Sequence, residues 1–186
     1  IKDKDLRAKV YDAWTKSLFD NGYEKLQDLP GSGLPGLPTL RNGTQVEHLR
    51  GVARIALALA KEMKAMFPDF NVNYDEVIAS GLCHDLGKPY EYNPKNRKKW
   101  EENTGLYGFP PFRHPIYGAY IALSVGMPET VAHAIGAHSK EGSHLTRSII
   151  GALVRYADVA FWGLADKALL LTDRMPPEVQ KEVSAG

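Results

Sequence analysis

The segment LCHDLGKPY, residues 82–90, places His84 directly before Asp85 among apolar neighbours. Burying a polar or charged side chain is costly, because the water that it loses must be replaced by another interaction. Such a pair is therefore informative only if other costly residues of the chain are directed at the same point. The direction in which the remaining histidines and acidic residues point from their helices therefore decides whether the pair belongs to a site.

Helix geometry separates the two histidines of the helix predicted over residues 128–138. At about 100° per residue, the apolar positions Val131 and Ala134 define its inward face. His138 follows Ala134 by four residues and lies on that face, whereas His133 points away from it. We expect His138 to be a candidate metal ligand and His133 to be a solvated surface residue.

The last predicted helix, residues 145–171, carries a carboxylate within its apolar stripe. Asp158 follows Val154 by four residues and Ala157 by one. An ionised carboxylate on an apolar seam costs several kcal/mol unless it is paired. The ordinary explanation is a buried salt bridge to Arg155 or to a lysine elsewhere, and the functional explanation is a metal ligand.

Two further histidines lie near predicted helix starts. His48 borders the apolar stripe of its helix and is either a hydrogen-bonded core residue or a ligand. His114 precedes Pro115, a residue favoured in the first turn of a helix, and is either a capping residue or a ligand. His144 lies in the polar turn EGSHLT and is expected at the surface.

Metal binding explains all of these placements together. Converging imidazoles and carboxylates are unstable as bare groups, whereas nitrogen and oxygen ligands suit divalent transition metals. The sequence therefore predicts a site for two ions, with Fe, Mn, Ni and Zn as candidates. Adjacent helical residues diverge by about 100°, so Asp85 can reach a second ion beyond His84. The predicted ligands are His48, His84, Asp85, His114, His138 and Asp158.

Helical periodicity dominates the chain that must position these residues. Helices are predicted over 5–20, 44–67, 74–86, 114–124, 128–138 and 145–171, and the second starts with a capping box, Thr44-Gln45-Val46-Glu47. Residues 30–43 and 89–113 are predicted to be irregular. No convincing strand pair is found, and the fold class is all-α, a compact helical bundle. We expect one domain over 1–186, with a core at about 44–165, an N-terminal helix and loop at 1–43, and a tail at 172–186.

The loop at 30–43 contains the letters of a nucleotide-binding fingerprint. Gly31, Gly33 and Gly36 spell G-x-G-x-x-G. That fingerprint works only between a strand and a helix that receives the pyrophosphate at its N-terminus. Pro35 and Pro38 interrupt the segment that follows, so a dinucleotide site is not expected.

Composition restricts the partners. The net charge of +1 gives no reason to expect a nucleic acid polymer. No apolar run reaches the ~20 residues that span a bilayer, and the first residues lack an apolar signal core.

The single cysteine, Cys83, lies in an apolar run and is expected in the core. We therefore expect a cytoplasmic protein with a small, anionic substrate; its oligomeric state stays open, with a homo-oligomer as one option.

The ordered pattern of these residues resembles the HD-domain superfamily, whose core order is H…HD…D on a helical bundle. This chain supplies His48, then His84–Asp85, then Asp158, with His114 and His138 in the places that mark the two-metal branches. The resemblance covers about residues 44–165.

The resemblance implies a metal-dependent phosphohydrolase. One ion would be held by His48, His84, Asp85 and Asp158, and Asp85 would bridge to a second ion held with His114 and His138. A binuclear metal-bound hydroxide would attack a small phosphate ester or nucleotide. Asp85 and Lys88 would be catalytic, and the predicted substrate-binding cations are Lys88, Arg113 and Lys140.

Other branches leave an alternative open. HPIYGAYIA resembles part of the cyclic-di-GMP phosphodiesterases, but their Gly-Tyr-Pro signature is absent. HDLGK resembles the motif of myo-inositol oxygenase, in which the same constellation holds a di-iron centre. The runner-up is thus a di-iron oxygenase that cleaves a C–C or C–P bond, with aromatic residues around Trp100 closing over the substrate. A non-catalytic sensor would require missing ligands, and none is missing.

Overall fold

The computed structural model describes residues 1–172, so the tail predicted over 172–186 lies almost wholly outside the described residues. Its helices are α1 Lys4–Asp20, α2 Gln45–Met66, α3 Tyr74–Cys83, α4 Lys88–Tyr92, α5 Pro94–Glu102, α6 Thr104–Tyr107, α7 His114–Ser124, α8 Glu129–Ala137 and α9 Ile149–Lys167. A two-stranded antiparallel sheet consists of β1 Pro30–Ser32 and β2 Thr39–Thr44, and 3₁₀ turns span Leu26–Asp28 and Lys140–His144. The all-α prediction is confirmed.

Helix α2 is the central element of the bundle and packs against α3 and α9. The predicted capping box is present: Glu47 accepts a hydrogen bond from the Thr44 backbone N–H at 2.7 Å, and Thr44 caps the helix in return. The inward face of α2 then joins a hydrophobic cluster with α3, α8 and α9. This anchoring holds the first turn of α2, and with it His48, against the neighbouring helices.

Gly81 sets the close approach of α3 to α2. A Cβ added at this position would lie 2.6 Å from the Cα of Ala53 on α2. Real Cβ atoms essentially never approach backbone this closely, so only glycine fits. The C-terminal end of α3, which leads directly into His84 and Asp85, is therefore pressed against the helix that carries His48.

The segment before α2 is a hairpin, which corrects the prediction of a loop without a strand pair. Pro30 pairs with Thr44 and Ser32 with Thr39. The prolines and glycines of this segment do mark a turn. The short flanking strands, however, lack the alternation of apolar and polar residues that indicates a strand. No helix follows Gly36 until Gln45, so the dinucleotide interpretation of the glycines remains unsupported.

The segment 89–113 is also more regular than predicted. It contains α5, α6 and most of α4, and two of these short helices begin with asparagine caps. Asn93 accepts bonds from two backbone N–H groups of α5, and Asn103 accepts one from α6. Capping rather than apolar periodicity defines these helices, which explains why a search for periodicity missed them.

Several boundaries and faces also differ from expectation. Helix α3 ends at Cys83 rather than residue 86, and α9 is shorter at both ends than residues 145–171. Phe19, which continues the apolar pattern of α1, is 82% exposed.

Cys83 is buried as predicted, and burial raises the pKa of its thiol. Within residues 1–172, no helix has the length and apolar character needed to cross a bilayer.

Candidate metal centre

The six predicted ligands come from five helices and converge on one point. His48 lies in the first turns of α2, His84 and Asp85 directly follow α3, and His114 is the first residue of α7. His138 caps the C-terminus of α8, and Asp158 lies midway along α9. Five of the six are buried, and the Asp158 side chain is 17% exposed.

Asp85 stands between two pairs of histidines. Its Oδ2 atom lies 3.3 Å from His48 Nε2 and 3.5 Å from His84 Nε2. Its Oδ1 atom lies 3.2 Å from His114 Nε2 and 3.8 Å from His138 Nε2. Each carboxylate oxygen thus faces one pair, as the bridging role predicted from the sequence requires.

Asp158 completes the first pair. Its Oδ1 atom lies 3.4 Å from His48 Nε2 and 3.8 Å from His84 Nε2. This oxygen is buried and has no hydrogen-bond partner. The salt bridge to Arg155 considered as the ordinary explanation does not form, because the guanidinium of Arg155 donates to the carbonyl of His138 instead. Among residues 1–172, the Asp158 carboxylate therefore has no lysine or arginine partner.

The tautomers of His114 and His138 show why a cation is needed. His114 Nδ1 lies 2.7 Å from a carboxylate oxygen of Glu91, and His138 Nδ1 lies 2.7 Å from the carbonyl oxygen of Ile135. Both partners are acceptors, so both Nδ1 atoms carry the proton and both Nε2 atoms present lone pairs. These Nε2 atoms face each other at 3.3 Å.

A proton cannot easily take the place of that cation. Burial lowers the pKa of His114, and the nearby Lys88 ammonium lowers it further. Burial and the neighbouring imidazoles of His84 and His114 hold the pKa of His138 well below its usual range. Both rings are therefore neutral near pH 7, and two lone pairs in contact are stabilised only by a positive ion between or beside them.

The pair formed by His48 and His84 is oriented in a related way. His84 Nδ1 donates to the carbonyl oxygen of Gly81 at 2.8 Å, which directs its Nε2 lone pair toward His48 Nε2 at 3.0 Å. His48 Nδ1 has no hydrogen-bond partner among the described residues, so only its Nε2 atom contacts the cluster. Groups of three from these residues have ligand atoms within 4.8 Å of one another, which suits a metal ion. The donor set therefore fits divalent metal ions.

Sequence analysis missed two residues that orient this cluster. The buried amide of Gln45 donates to Asp85 Oδ2 at 2.5 Å. Glu91 holds His114, and its hydrogen bond with that ring keeps the pKa of Glu91 low although burial raises it. Gln45 lies three residues before His48, so helix spacing could have revealed it. Glu91 belongs to a short helix that periodicity did not detect.

A cleft of about 340 Å³ opens onto the cluster and contains all three predicted substrate-binding residues. Lys88 is buried, and its ammonium donates to the carbonyl oxygens of Ser32 and Gly33 in the hairpin. Arg113 Nε lies 3.1 Å from Glu91 and 3.2 Å from Glu141. Lys88 and Arg113 thus already interact with other groups of the protein, Lys88 with backbone carbonyl oxygens and Arg113 with two carboxylates.

Lys140 and a fourth cation, Arg155, differ from the first two. Both line the cleft, and neither forms an ion pair with a carboxylate of residues 1–172. Arg155 makes one long bond of 3.3 Å to the His138 carbonyl oxygen. Trp162 also lines the cleft, with its ring 4.6 Å from that of His48. From the sequence, Arg155 was expected only as a possible salt-bridge partner of Asp158, and no pattern indicated that Trp162 lines a site.

The two remaining histidines lie outside the cluster. His144 is exposed, as predicted. His133 is only partly exposed, and its Nε2 accepts a hydrogen bond from the backbone N–H of Ser148 at 3.2 Å. The prediction of a solvated surface residue is therefore wrong in detail, because the loop before α9 covers that side of α8.

Comparison with known proteins gives one family match and several curated relatives. The family model described as HD domain matches residues 46–172. A dihydroneopterin 2′,3′-cyclic phosphate phosphodiesterase from Methanocaldococcus jannaschii is 27% identical over 176 residues, which cover 91% of this chain and 68% of that protein.

Two β subunits of glycine–tRNA ligase, from Acidovorax sp. JS42 and Acidovorax ebreus, are 32% identical over 119 residues. These alignments cover 62% of this chain and only 16% of each subunit. No solved structure matches the chain.

Proposed function

Because the chain belongs to the HD-domain family, we propose that it is a metal-dependent phosphohydrolase whose centre is the histidine–aspartate cluster. The observation that carries this proposal is the contact between His114 Nε2 and His138 Nε2, two lone-pair atoms held 3.3 Å apart by their Nδ1 hydrogen bonds. Such an arrangement is stable only around a cation. Asp85, which faces both histidine pairs, makes two ions the natural number.

Each ion has a defined set of candidate ligands. His48, His84 and Asp158 would hold one ion with Asp85 Oδ2, and His114 and His138 would hold the other with Asp85 Oδ1. When bound, such ions activate water near neutral pH and stabilise the charge that develops on a phosphoryl group. Gln45 and Glu91 hold Asp85 and His114 in orientations that would suit bound ions, since partners of this kind orient and strengthen metal ligands.

The cleft supplies positive charge for the phosphoryl oxygens. We assign this role first to Arg155 and Lys140, because neither is neutralised by a carboxylate among the described residues. A guanidinium presents several N–H donors in a fixed plane that suits phosphate oxygens. Arg113, which the sequence also placed here, pairs with Glu91 and Glu141 and instead positions the wall of the cleft.

Lys88 combines a structural and a catalytic role in this proposal. Its ammonium fastens the hairpin over the cleft through the Ser32 and Gly33 carbonyl oxygens. An ammonium has three N–H donors, so one remains for a substrate oxygen. The lysine also lies close enough to Asp85 to lower the pKa of that carboxyl well below its usual range, against the effect of burial. It therefore keeps the bridging carboxylate ionised.

The substrate class proposed first is the cyclic phosphate diester of a small alcohol. The support is the Methanocaldococcus jannaschii relative, which is named for acting on such a bond and aligns over 91% of this chain. The cleft volume of about 340 Å³ suits a small molecule and not a polymer. The oxygenase alternative has the same ligand requirements, and no described contact favours it.

The proposal is tested by incubating the protein, loaded separately with Mn²⁺, Ni²⁺, Zn²⁺ or anaerobically with Fe²⁺, with 2′,3′-cyclic nucleotides and linear monophosphates. Ring opening or phosphate release, followed by mass spectrometry, is expected with at least one metal and no dioxygen. Arg155→Gln should raise KM about tenfold or more, the loss expected for a bond to a charged group, while metal content is unchanged.

Arg54→Gln is the matched control, because Arg54 is exposed on the same helix as His48. It should leave KM unchanged. Turnover that requires dioxygen, with no hydrolysis under any metal, would contradict the proposal and favour the oxygenase.

A further inference from the structure

A second cavity of about 230 Å³ adjoins the metal cleft. Leu34 and Arg113 line both spaces, so the two meet at these side chains. Most of the second lining is apolar and flat: Leu34, Pro35, Trp100, Phe109 and Pro110. A molecule whose phosphate lies in the metal cleft would extend its alcohol moiety past Arg113 into this space.

The aromatic walls of the cavity are held in place by other rings. Trp100 is buried and packs on Tyr90 at 5.1 Å between ring centroids. Tyr90 in turn stacks on Tyr117 of α7 at 4.2 Å and 11°. Phe109 stands at 71° to Trp100, 6.5 Å away. The cavity therefore presents two fixed aromatic surfaces that meet at a steep angle, a shape that suits the face and edge of a planar ring.

The polar groups of the cavity differ in their availability. Glu91 accepts from His114 and lies beside Arg113, so both of these charged groups are occupied. Arg97 is 3.7 Å from the exposed Glu101, beyond hydrogen-bond distance, and its guanidinium lies 5.3 Å from the Phe109 ring centre. Arg97 thus forms an ion pair with Glu101, but its guanidinium makes no hydrogen bond within residues 1–172, so its N–H groups can bind an acceptor on the edge of a ring that rests against Phe109.

We propose that this cavity is the subsite for the alcohol moiety of the substrate and that it takes a planar heteroaromatic ring with hydrogen-bond acceptors on its edge. The ring lies against Trp100 and Phe109, and Arg97 donates to its acceptor edge. This assignment rests on the proposed function for the position of the phosphate. The cavity is smaller than the ~300–1,000 Å³ of drug-sized pockets, so it holds one ring system and not a dinucleotide.

A kinetic comparison tests the subsite. Guanosine 2′,3′-cyclic phosphate and glycerol 1,2-cyclic phosphate contain the same five-membered phosphate ring, and only the first has a heteroaromatic base. The wild-type protein should prefer the guanosine compound by about tenfold or more in kcat/KM, the value of a bond to a charged donor. Arg97→Gln and Phe109→Leu should each remove most of this preference.

Lys98→Gln is the matched control for the loss of charge, because Lys98 is 79% exposed on the same helix as Arg97. It should retain the full preference. Equal turnover of both compounds by the wild-type protein would overturn the subsite and leave the proposed function standing.

Binding of guanosine itself separates the subsite from the chemistry. Guanosine lacks a phosphate, so its affinity, measured by calorimetry, should fall about tenfold in Arg97→Gln and be unchanged in Lys98→Gln. If neither cyclic phosphate is hydrolysed while this difference is observed, the subsite holds and the proposed function fails. Absence of guanosine binding to the wild-type protein would overturn the subsite.

Discussion

The two sides of the cleft are built in different ways. The helical side consists of α2, α3, α7, α8 and α9, which carry or directly precede the six proposed ligand residues. The covering side consists of the hairpin, the short helices α4 to α6 and the turn Lys140–His144. The helical side holds its ligands by apolar packing and by backbone carbonyl oxygens, as at His84 and His138. The covering side combines polar contacts, such as Lys88 to the hairpin, with the packing of aromatic rings, such as Trp100 on Tyr90.

This difference separates two tasks. Buried, packed ligands keep their geometry without a substrate, as a metal centre requires. Loops and short helices can vary in sequence without loss of the core, and binding residues are commonly found on them. We therefore expect substitutions on the helical side to affect metal content and stability, and those on the covering side to affect substrate choice. Substitutions at Asp85, Gly81, Glu91 and Leu34 test this division of roles between the two sides.

Asp85→Asn should have the largest effect. The amide keeps the shape of the side chain but loses the charge that faces both histidine pairs. We expect both ions to be lost and activity to fall well beyond the roughly 10–100-fold caused by removing an orienting partner. Metal analysis by mass spectrometry gives the first readout. Asp12→Asn, an exposed position on α1, should keep full metal content.

Gly81→Ala should destabilise the helical side by overpacking. The added Cβ would lie 2.6 Å from the Ala53 backbone, so α3 must move away from α2. We expect a loss of about 1–3 kcal/mol in the free energy of unfolding, typical of overpacking, together with weaker metal binding. Gly163→Ala on α9 meets no atom within 4 Å and should stabilise by up to about 1 kcal/mol. Equal urea denaturation midpoints for the two variants would contradict this packing argument.

Glu91→Gln tests the contact between the two sides. Glu91 belongs to the covering side but fixes the tautomer of His114 on the helical side. The neutral amide should weaken metal binding about 10–100-fold, as loss of such a partner commonly does. Competition with a chromophoric chelator measures this. Glu102→Gln changes an exposed residue and should leave the affinity alone. Unchanged affinity in Glu91→Gln would show that the two sides are independent.

Leu34→Ala should have the smallest effect, and it should change only the KM for substrate. Leu34 lies in the hairpin and lines both cavities. Its truncation should change KM for a ring-bearing substrate by a few-fold, since one lost apolar contact is worth about 1 kcal/mol or slightly more. Metal content and the thermal midpoint should match those of the wild-type protein. A large loss of metal would show that the hairpin supports the helical side.

Periodicity and capping were enough to predict most of the helical side. Apolar spacing showed that His138 and Asp158 face inward, and the capping box located the start of the helix that carries His48. The resemblance of the H…HD…D order to a known family supplied the expected pairing of ligands. The structure brings these six residues together in one cluster, as the sequence predicted.

The covering side depends on contacts between distant parts of the chain, which one sequence does not display. Lys88 reaches carbonyl oxygens 55 and 56 residues away, and Arg113 pairs with acids on either side of it in sequence. Such contacts determine which cations of the cleft are already paired with carboxylates, and they are the reason why we propose Arg155 rather than Arg113 for anion binding. Composition and spacing give no signal for that choice.

The most direct test of the account is the position of metal ions in the protein. Crystals grown with Mn²⁺ should give two anomalous-scattering peaks, one beside His48, His84 and Asp158 and one beside His114 and His138, with Asp85 between them. Each peak should lie at the ~2.0–2.2 Å from nitrogen or oxygen that is usual for protein ligands of such ions. Well-ordered side chains in the arrangement described, with no anomalous peak among them at saturating Mn²⁺, Zn²⁺ or Fe²⁺, would contradict the account.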